Sequence, residues 1–158
     1  MNPEELKIGD LVRVVKDDYI IQKGTICKVI GVNAIDLSAF GGHKPVVSLL
    51  AIDTENIRSM SCENIEGIPL TKDILLKNGW KKKVMSRGVK NSHIVYTKPD
   101  IEEYGYFPIY IEKGIGNEFD VYPFTGNNVC TQIAYIKYVH QLQHLLFGLG
   151  LYSSSTIV

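Results

Sequence analysis

Residues 11–15, LVRVV, and residues 25–30, TICKVI, determine the fold that we expect for the first part of the chain. Both segments are rich in β-branched residues, which favour the extended conformation. Each segment also follows a turn pair, Gly9-Asp10 in the first case and Lys23-Gly24 in the second, as strands commonly do. These two segments therefore predict neighbouring short strands.

The segments that follow continue this pattern. Residues 46–52, VVSLLAI, predict a buried strand, and residues 58–62, RSMSC, predict a strand with one polar face. Short, closely spaced strands without a helical period predict a small β-barrel over residues 1–67, whose closed sheet avoids exposed edges. The apolar residues on these strands form the expected barrel core: Val12, Val14, Ile26, Val29, Val47, Leu49 and Ile52.

A capped helix is predicted just after Pro69, where the strand pattern ends, and the second domain is expected to cover residues 68–158. Thr71 is a good N-cap, Asp73 suits the positive end of a helix, and Gly79 can adopt the left-handed conformation that stops one. Because Trp80 follows this stop directly, we expect its ring to fold back and be buried against the helix.

The remainder of the second domain is predicted to be an antiparallel sheet closed by a helix over about residues 135–148. An apolar stripe runs along this helix, with Lys137, Gln141 and His144 on the opposite side and His140 at the border. The stripe consists of Ile136, Val139, Leu142, Leu146 and Leu149. The strands are expected around residues 80–86, 92–98, 106–112 and 118–123. The predicted fold class is therefore α+β, with a helix–sheet–helix unit after the barrel.

The composition excludes several classes of protein. Among 158 residues, 17 basic and 17 acidic side chains give a net charge of zero, so no globally basic surface for nucleic acid is expected. No segment approaches the roughly 20 apolar residues that cross a bilayer, and the acidic N-terminus does not resemble a secretory signal. Cys27, Cys62 and Cys130 are widely spaced, which favours buried thiols in a reducing compartment. We therefore expect a cytoplasmic protein without membrane contact.

No catalytic or cofactor-binding pattern is found. His140 and His144 have the spacing of the zinc-binding motif H-E-x-x-H, but Gln141 occupies the place of the catalytic glutamate, and an amide cannot act as a base. The glycines of Gly114-Ile115-Gly116 lack the βαβ context of a dinucleotide site and fit a hairpin loop better. The other histidines, His43 and His93, are far apart in the sequence. We expect no enzyme activity, no cofactor and no metal.

Charge is distributed unevenly along the second domain. Residues 74–99 contain no acidic side chain, whereas residues 100–120 contain six acidic side chains and only one basic side chain, Lys113. A lysine-rich hairpin with aromatic residues can contact phosphates and stack on bases. The candidate nucleic-acid contacts are Lys81, Lys82, Lys83, Arg87, Lys90 and Trp80. The alternatives are that the lysines keep an edge hairpin soluble, or that basic and acidic strands neutralise each other across the sheet.

The first part of the chain resembles the KOW type of SH3-like barrel. The resemblance rests on residues 8–15, IGDLVRVV, and residues 23–32, KGTICKVIGV, where a G-D-x-V strand precedes a basic residue, a glycine and a hydrophobic strand. It implies an SH3-like barrel, and members of this family often bind RNA or ribosomal and transcription partners. Asp17 and Asp18 occupy positions that tend to be basic in the family.

The second half resembles a family of small proteins of uncharacterised function, carried by phages and integrated mobile elements of bacteria of the Bacteroides group. Residues 68–80, IPLTKDILLKNGW, and residues 136–143, IKYVHQLQ, carry this resemblance, which implies a genomic setting and no activity. We therefore predict a non-catalytic accessory or adaptor protein that acts through an as yet unknown protein partner. The alternative is a nucleic-acid-binding module that uses residues 77–98, and a weaker third hypothesis is a metal-dependent hydrolase built on the histidine pair.

Overall fold

Two antiparallel five-stranded sheets form the framework of the protein in a computed structural model, which describes residues 1–37, 42–87, 91–99, 109–123 and 132–151. Two α-helices accompany them in this part of the chain, so the predicted α+β class is confirmed. The chain divides into two compact units, Met1–Ile68 and Pro69–Val158, and each unit contains one of the sheets.

The first unit contains five antiparallel strands in the order β4-β3-β2-β1-β5. The strands are β1 (Leu11–Val14), β2 (Ile26–Leu37), β3 (Gly42–Ala51), β4 (Ile57–Ser61) and β5 (Ile65–Gly67). A 3-10 turn, Cys62–Asn64, leads into β5, so Cys62 lies just outside the strand predicted to contain it. Among the described residues, β4 and β5 remain the two edges of this sheet.

The core of the first unit lies on one face of this sheet. Most of the predicted core residues are fully buried there: Val12, Val14, Val29, Val47 and Leu49. The prediction was wrong for Ile26, which is only half-buried because Cys27 and Val29 take the inward positions of β2. It was also wrong for Ile52, which is 52% exposed because β3 ends at Ala51 and the chain turns there.

Strands β2 and β3 are longer than their neighbours and form a ribbon that extends beyond the sheet. The register shifts between Val29 and Gly31, which leaves Ile30 as an extra residue in a β-bulge. β1 pairs only with residues 26–28 of β2, and β4 pairs only with residues 46–50 of β3. Residues 34–37 and 42–45 therefore pair, within the described chain, only with each other.

The second unit contains the other five strands, in the order β10-β9-β8-β7-β6. The strands are β6 (Lys81–Arg87), β7 (Asn91–Thr97), β8 (Ile109–Lys113), β9 (Phe119–Pro123) and β10 (Ala134–Ile136). The first four correspond to the four predicted strands. Among the described residues, β6, which carries the lysine run, is one edge strand of this sheet and β10 is the other.

Helix α1 (Lys72–Lys77) forms as predicted. The side-chain oxygen of Thr71 accepts a hydrogen bond from the backbone N–H of Ile74 at 3.2 Å, and Gly79 has φ +83°, a conformation that few other residues adopt. The chain then folds back, because the backbone N–H of Trp80 donates to the carbonyl of Leu75 at 3.1 Å. Trp80 is only 2% exposed, so its predicted burial is confirmed.

Helix α2 (Val139–Gly148) begins later than predicted, because residues 134–136 pair with β9 as strand β10. Gln141, predicted to face away from the sheet, caps the helix instead: its side-chain oxygen accepts hydrogen bonds from the backbone N–H groups of Lys137 and Tyr138.

The buried face of α2 is also rotated from the predicted stripe. It consists of Val139, His140, Leu142 and Gln143. His140 is 1% exposed, so its predicted border position was wrong, and Leu149, predicted in the stripe, is 42% exposed. The stripe was misplaced because it counted Ile136, a buried strand residue, as the first turn of the helix.

Candidate functional site

The β6–β7 hairpin projects past the rest of its sheet. β6 pairs with β7 along its whole length, from Lys81↔Thr97 to Arg87↔Asn91. β7 pairs with β8 only over residues 95–97. Residues 84–87 and 91–94 therefore form a two-stranded extension to which no other described strand is paired.

An apolar pair is exposed at the base of this extension. Val84 and Ile94 are directly opposite each other on β6 and β7, and they are 62% and 44% exposed. Side chains in such a pair lie on the same face of the sheet with their Cβ atoms about 5 Å apart. Single exposed apolar residues are normal, but a cross-strand pair on a projecting hairpin forms a contiguous apolar patch.

The three consecutive lysines lie beside this patch on the edge strand. All three are exposed, and the alternation of β6 places Lys82 on the face of Val84 and places Lys81 and Lys83 on the other face. The Nζ atom of Lys83 lies 5.8 Å from the centroid of the Tyr110 ring, within range of a cation–π interaction. We call this set, Lys81, Lys82, Lys83, Val84 and Ile94, the hairpin surface.

Of the remaining candidate nucleic-acid contacts, Trp80 does not join the hairpin surface. The ring of Trp80 lies in the core, where it is not accessible to a base. Arg87 is the last residue of β6, and Lys90 lies outside the described residues. The described part of the basic segment therefore presents three lysines and no stacking platform at Trp80.

The acidic strands β8 and β9 do not neutralise these lysines directly. Glu112 and Asp120 are directly opposite each other, an unfavourable like-charge pair. Glu112 Oε1 lies 2.8 Å from Nδ1 of His93, and Asp120 Oδ1 accepts a hydrogen bond from Gln132 Nε2 at 2.8 Å. Within the described ranges, no ion pair joins either carboxylate to the lysines of β6. Within the described residues, the carboxylates of β8 and β9 therefore leave the lysines of this edge without an ion pair.

A shallow depression lies along the β7 edge of the hairpin, where β7 extends past β8. Its volume of about 250 Å³ is below the range of about 300–1,000 Å³ that is typical of small-molecule sites. It is lined by Lys72, Ser92, His93, Ile94, Tyr96, Glu112 and Lys113. Burial raises the pKa of the Tyr96 hydroxyl, and the nearby carboxylate of Asp73 raises it further. Because Ile94 belongs to the hairpin surface and also lines this depression, the depression continues the hairpin surface.

The histidines of α2 form an aromatic stack. The ring of His140 stacks on Tyr138 at 5.6 Å between centroids, and His144 meets it edge-on at 5.8 Å. No group of three histidine, cysteine, aspartate or glutamate residues comes together within the described chain as a metal-binding cluster would. That the protein binds no zinc stays a prediction, and elemental analysis of the purified protein tests it.

Cys27 and Cys62 are buried and not joined in a disulfide. Burial, and secondly the charge of Asp53, raise the pKa of Cys27 to about 11, and burial also raises that of Cys62. Because the thiolate is the reactive form, neither residue has the properties of a catalytic nucleophile. Cys130 lies outside the described residues.

The acidic loop of the first unit, which departs from the KOW pattern, has a local structural role. The carboxylate of Asp17 accepts a hydrogen bond from the backbone N–H of Lys23 at 2.8 Å. Asp18 pairs with Nε of Arg58 at 3.0 Å and also accepts from the backbone N–H of Ile20. The hydrogen bond from Ile20 is the largest cause of the lowered pKa of Asp18, and the contacts with Arg58 lower this pKa further. Partial desolvation acts in the opposite direction but does not outweigh them.

Comparisons with family models, with curated proteins and with solved structures find no match for this chain. In the described part of the chain, no helix has both the length and the apolar character needed to cross a membrane. Sequence reasoning identified the lysines but missed the Val84–Ile94 patch. The alternation of β6 and β7 indicates two faces, but it does not reveal that β8 stops short of this pair.

Proposed function

We propose that this chain is a non-catalytic accessory or adaptor protein of a phage or mobile element, which acts by binding another protein through the hairpin surface. The observation that carries this proposal is the exposed Val84–Ile94 pair on a hairpin that projects beyond its sheet. Burying this pair against a partner would remove apolar area from water.

The arrangement of the hairpin surface supports a protein partner over a small ligand. Protein interfaces commonly have an apolar centre with a polar rim, and here Val84 and Ile94 are flanked by Lys82 on the same face. The neighbouring depression is small and open, and its walls carry charged side chains from α1 and β8. A partner can use it as a recess for part of its own surface.

The test is the affinity of a purified partner for matched variants. The partner would be isolated on the tagged protein in the native host and then titrated against the wild type and against Val84→Thr/Ile94→Thr. Threonine keeps the β-branched shape and the strand propensity, so only the apolar contact is lost. We expect the Kd of the double variant to rise about tenfold, which corresponds to about 1.4 kcal/mol.

Ile57→Thr supplies the matched control, because Ile57 is a similarly exposed strand residue of the first unit. We expect this variant to bind within about twofold of wild type. A partner that tolerates the double change in the hairpin and is lost with Ile57→Thr would refute the proposed site.

A second candidate function is binding of nucleic acid by the three exposed lysines of β6. Since Trp80 is buried, such binding would rest on phosphate contacts and would weaken steeply with salt. The test is to titrate labelled single- and double-stranded oligonucleotides at low and physiological salt. Lys81→Ala/Lys82→Ala/Lys83→Ala is the control. We expect no binding at physiological salt, and micromolar binding that the triple variant abolishes would place this function first.

We also propose that the first unit is an SH3-like barrel of the KOW type. The pairing of β5 with β1, which brings the last strand beside the first, supports this proposal. The short strands β1, β4 and β5 support it as well. The hydrogen-bonded acidic loop at Asp17 and Asp18 favours a protein partner over RNA for this unit too, because it presents carboxylates.

A further inference from the structure

The outer edge of β6 has the properties of a strand that accepts another strand. No described strand lies beyond it, and its seven residues pair with β7 in an unbroken register. It contains no proline and no bulge, two of the features that commonly block an edge, and its lysines disfavour only strands that are themselves basic. In an antiparallel edge strand, alternate residues direct their N–H and C=O groups away from the sheet. β6 therefore presents a row of backbone donors and acceptors.

The charge of this edge determines which strand can pair with it. Lys81, Lys82 and Lys83 are consecutive and exposed, so two copies of β6 placed side by side would bring like charges together. A second copy of this chain is therefore disfavoured at this edge. An acidic strand would place opposite charges across the new pairing, which is favourable on both faces.

We propose that an acidic, extended segment of the partner protein adds to β6 as a sixth strand of the second sheet. This inference rests on the proposed function, since it specifies how a protein partner binds the hairpin surface. The added strand places acidic side chains beside Lys81 and Lys83 on one face and beside Lys82 on the other. On the face of Lys82 it also places an apolar side chain beside Val84, which is otherwise exposed to water.

Backbone pairing and side-chain charge supply different parts of this recognition. The main-chain hydrogen bonds hold the segment, whereas the lysines and Val84 select its composition. Because the lysines act through charge, binding should weaken with added salt. A segment of the same composition that cannot donate backbone hydrogen bonds should bind poorly at any salt concentration.

The probe is a short end-blocked peptide with three consecutive glutamates flanked by valines, so that glutamates lie on both faces of the added strand. It is titrated into the full chain while amide hydrogen exchange is followed by NMR. We expect alternate amides of β6, which exchange rapidly in the free protein, to exchange at least about tenfold more slowly in the complex. Three control peptides separate the contributions. One replaces glutamate by lysine. The other two carry methyl groups on alternate backbone nitrogens, one at odd and one at even positions, so that one of them is blocked whichever of its edges faces β6.

The result that supports the proposal is protection of β6 by the glutamate–valine peptide, with at least about tenfold weaker binding of the lysine peptide and of one methylated peptide. Absence of binding at about 1 mM peptide would overturn it. Binding without protection of β6, or equal binding of both methylated peptides, would overturn it as well.

The outcome also separates this inference from the proposed function. If the purified partner is sensitive to Val84→Thr/Ile94→Thr and neither it nor the peptide protects β6, the hairpin surface is the binding site and strand addition is rejected. If the partner is insensitive to that double variant, the proposed function fails at this surface. In that case, β6 protection by the peptide alone would show that the edge accepts a strand.

Discussion

Leu49 lies fully buried on the inner face of β3, directly opposite Val29 of β2. Replacing it by alanine leaves a cavity that the sheet can only partly close, so we expect Leu49→Ala to lower the free energy of unfolding by about 2–5 kcal/mol. Chemical denaturation measures this change. Ile57→Ala is the control, since Ile57 is exposed and its truncation should cost less than about 0.5 kcal/mol. A similar small loss for Leu49→Ala would mean that the strand assignment is wrong.

The Cys27 thiol should make stability sensitive to alkaline pH. Its pKa of about 11 in the folded chain exceeds the ordinary value of 9.0. The folded state therefore holds this proton more tightly, and its contribution is complete below pH 9 and is lost as the pH rises toward 11. Relative to Cys27→Val, the wild type should lose stability over this interval, by at most about 1.4 kcal/mol per pH unit. Urea unfolding at several pH values measures the difference, and parallel curves would contradict the prediction.

Alternation along a strand indicates two faces but not which face is inward, and β2 illustrates the problem. Ile26 is the more apolar residue, yet Cys27 is buried, because Cys27 is opposite Val12 and Ala51 in the paired strands. The bulge at Ile30 then changes the alternation partway along the strand. Neither the partner residues nor the bulge can be read from a single strand, whereas Val12, Val14 and Leu49 were predictable from local pattern alone.

At the scale of single elements, helix α1 depends on its cap because it has only six residues. Thr71→Ala removes the acceptor for the backbone N–H of Ile74, and we expect a loss of about 0.5–2 kcal/mol of stability. Thr71→Ser keeps a hydroxyl at the same place, so this variant should retain most of the stability that Thr71→Ala loses. Thermal or chemical unfolding distinguishes the two variants, and equal losses would show that the hydroxyl contributes nothing.

The two helices differ in how much of them was predictable. α1 is bounded by local signals, Thr71 and Gly79, which act within one turn of the chain. The start of α2 depends on a distant pairing, since residues 134–136 are fixed as a strand by residues 119–121 of β9. Helical periodicity alone could not separate β10 from α2, because Ile136 and Val139 are both buried and have helical spacing.

At the scale of the whole chain, each unit should have its own folding capacity. Among the described residues, the buried cluster of the first unit extends from Leu6 to Ile65, and Met1 packs against it. We therefore expect a chain ending after Ile68 to unfold cooperatively in denaturant and to keep the amide protection of β1–β3. Circular dichroism and hydrogen exchange measure this. A fragment that lacks a cooperative transition would show that the first unit requires the second.

The composition of the candidate site was partly predictable, but its shape was not. The lysine run and its position on an extended segment follow from the sequence of residues 80–87. The projection of the hairpin depends instead on where β8 stops pairing, and β8 pairs with β7 only over residues 95–97. The length of a pairing between distant segments is a property of the assembled sheet, so the exposed Val84–Ile94 pair appears only at this scale.

Two segments of the second unit that are far apart in the sequence pair with each other. Pro69 forms a β-bridge with Tyr138, and the backbone N–H of Leu70 donates to the carbonyl of Lys137 at 2.9 Å. During translation, at roughly 5–20 residues per second, a ribosome needs on the order of 3 to 14 s to travel from the first of these contacts to the last. The β6–β7 and β8–β9 hairpins can form during this delay, because their partners are local. The contacts between the two distant segments cannot, so a ribosome that stalls before Tyr138 holds a nascent chain whose first unit is complete and whose second unit lacks this pairing.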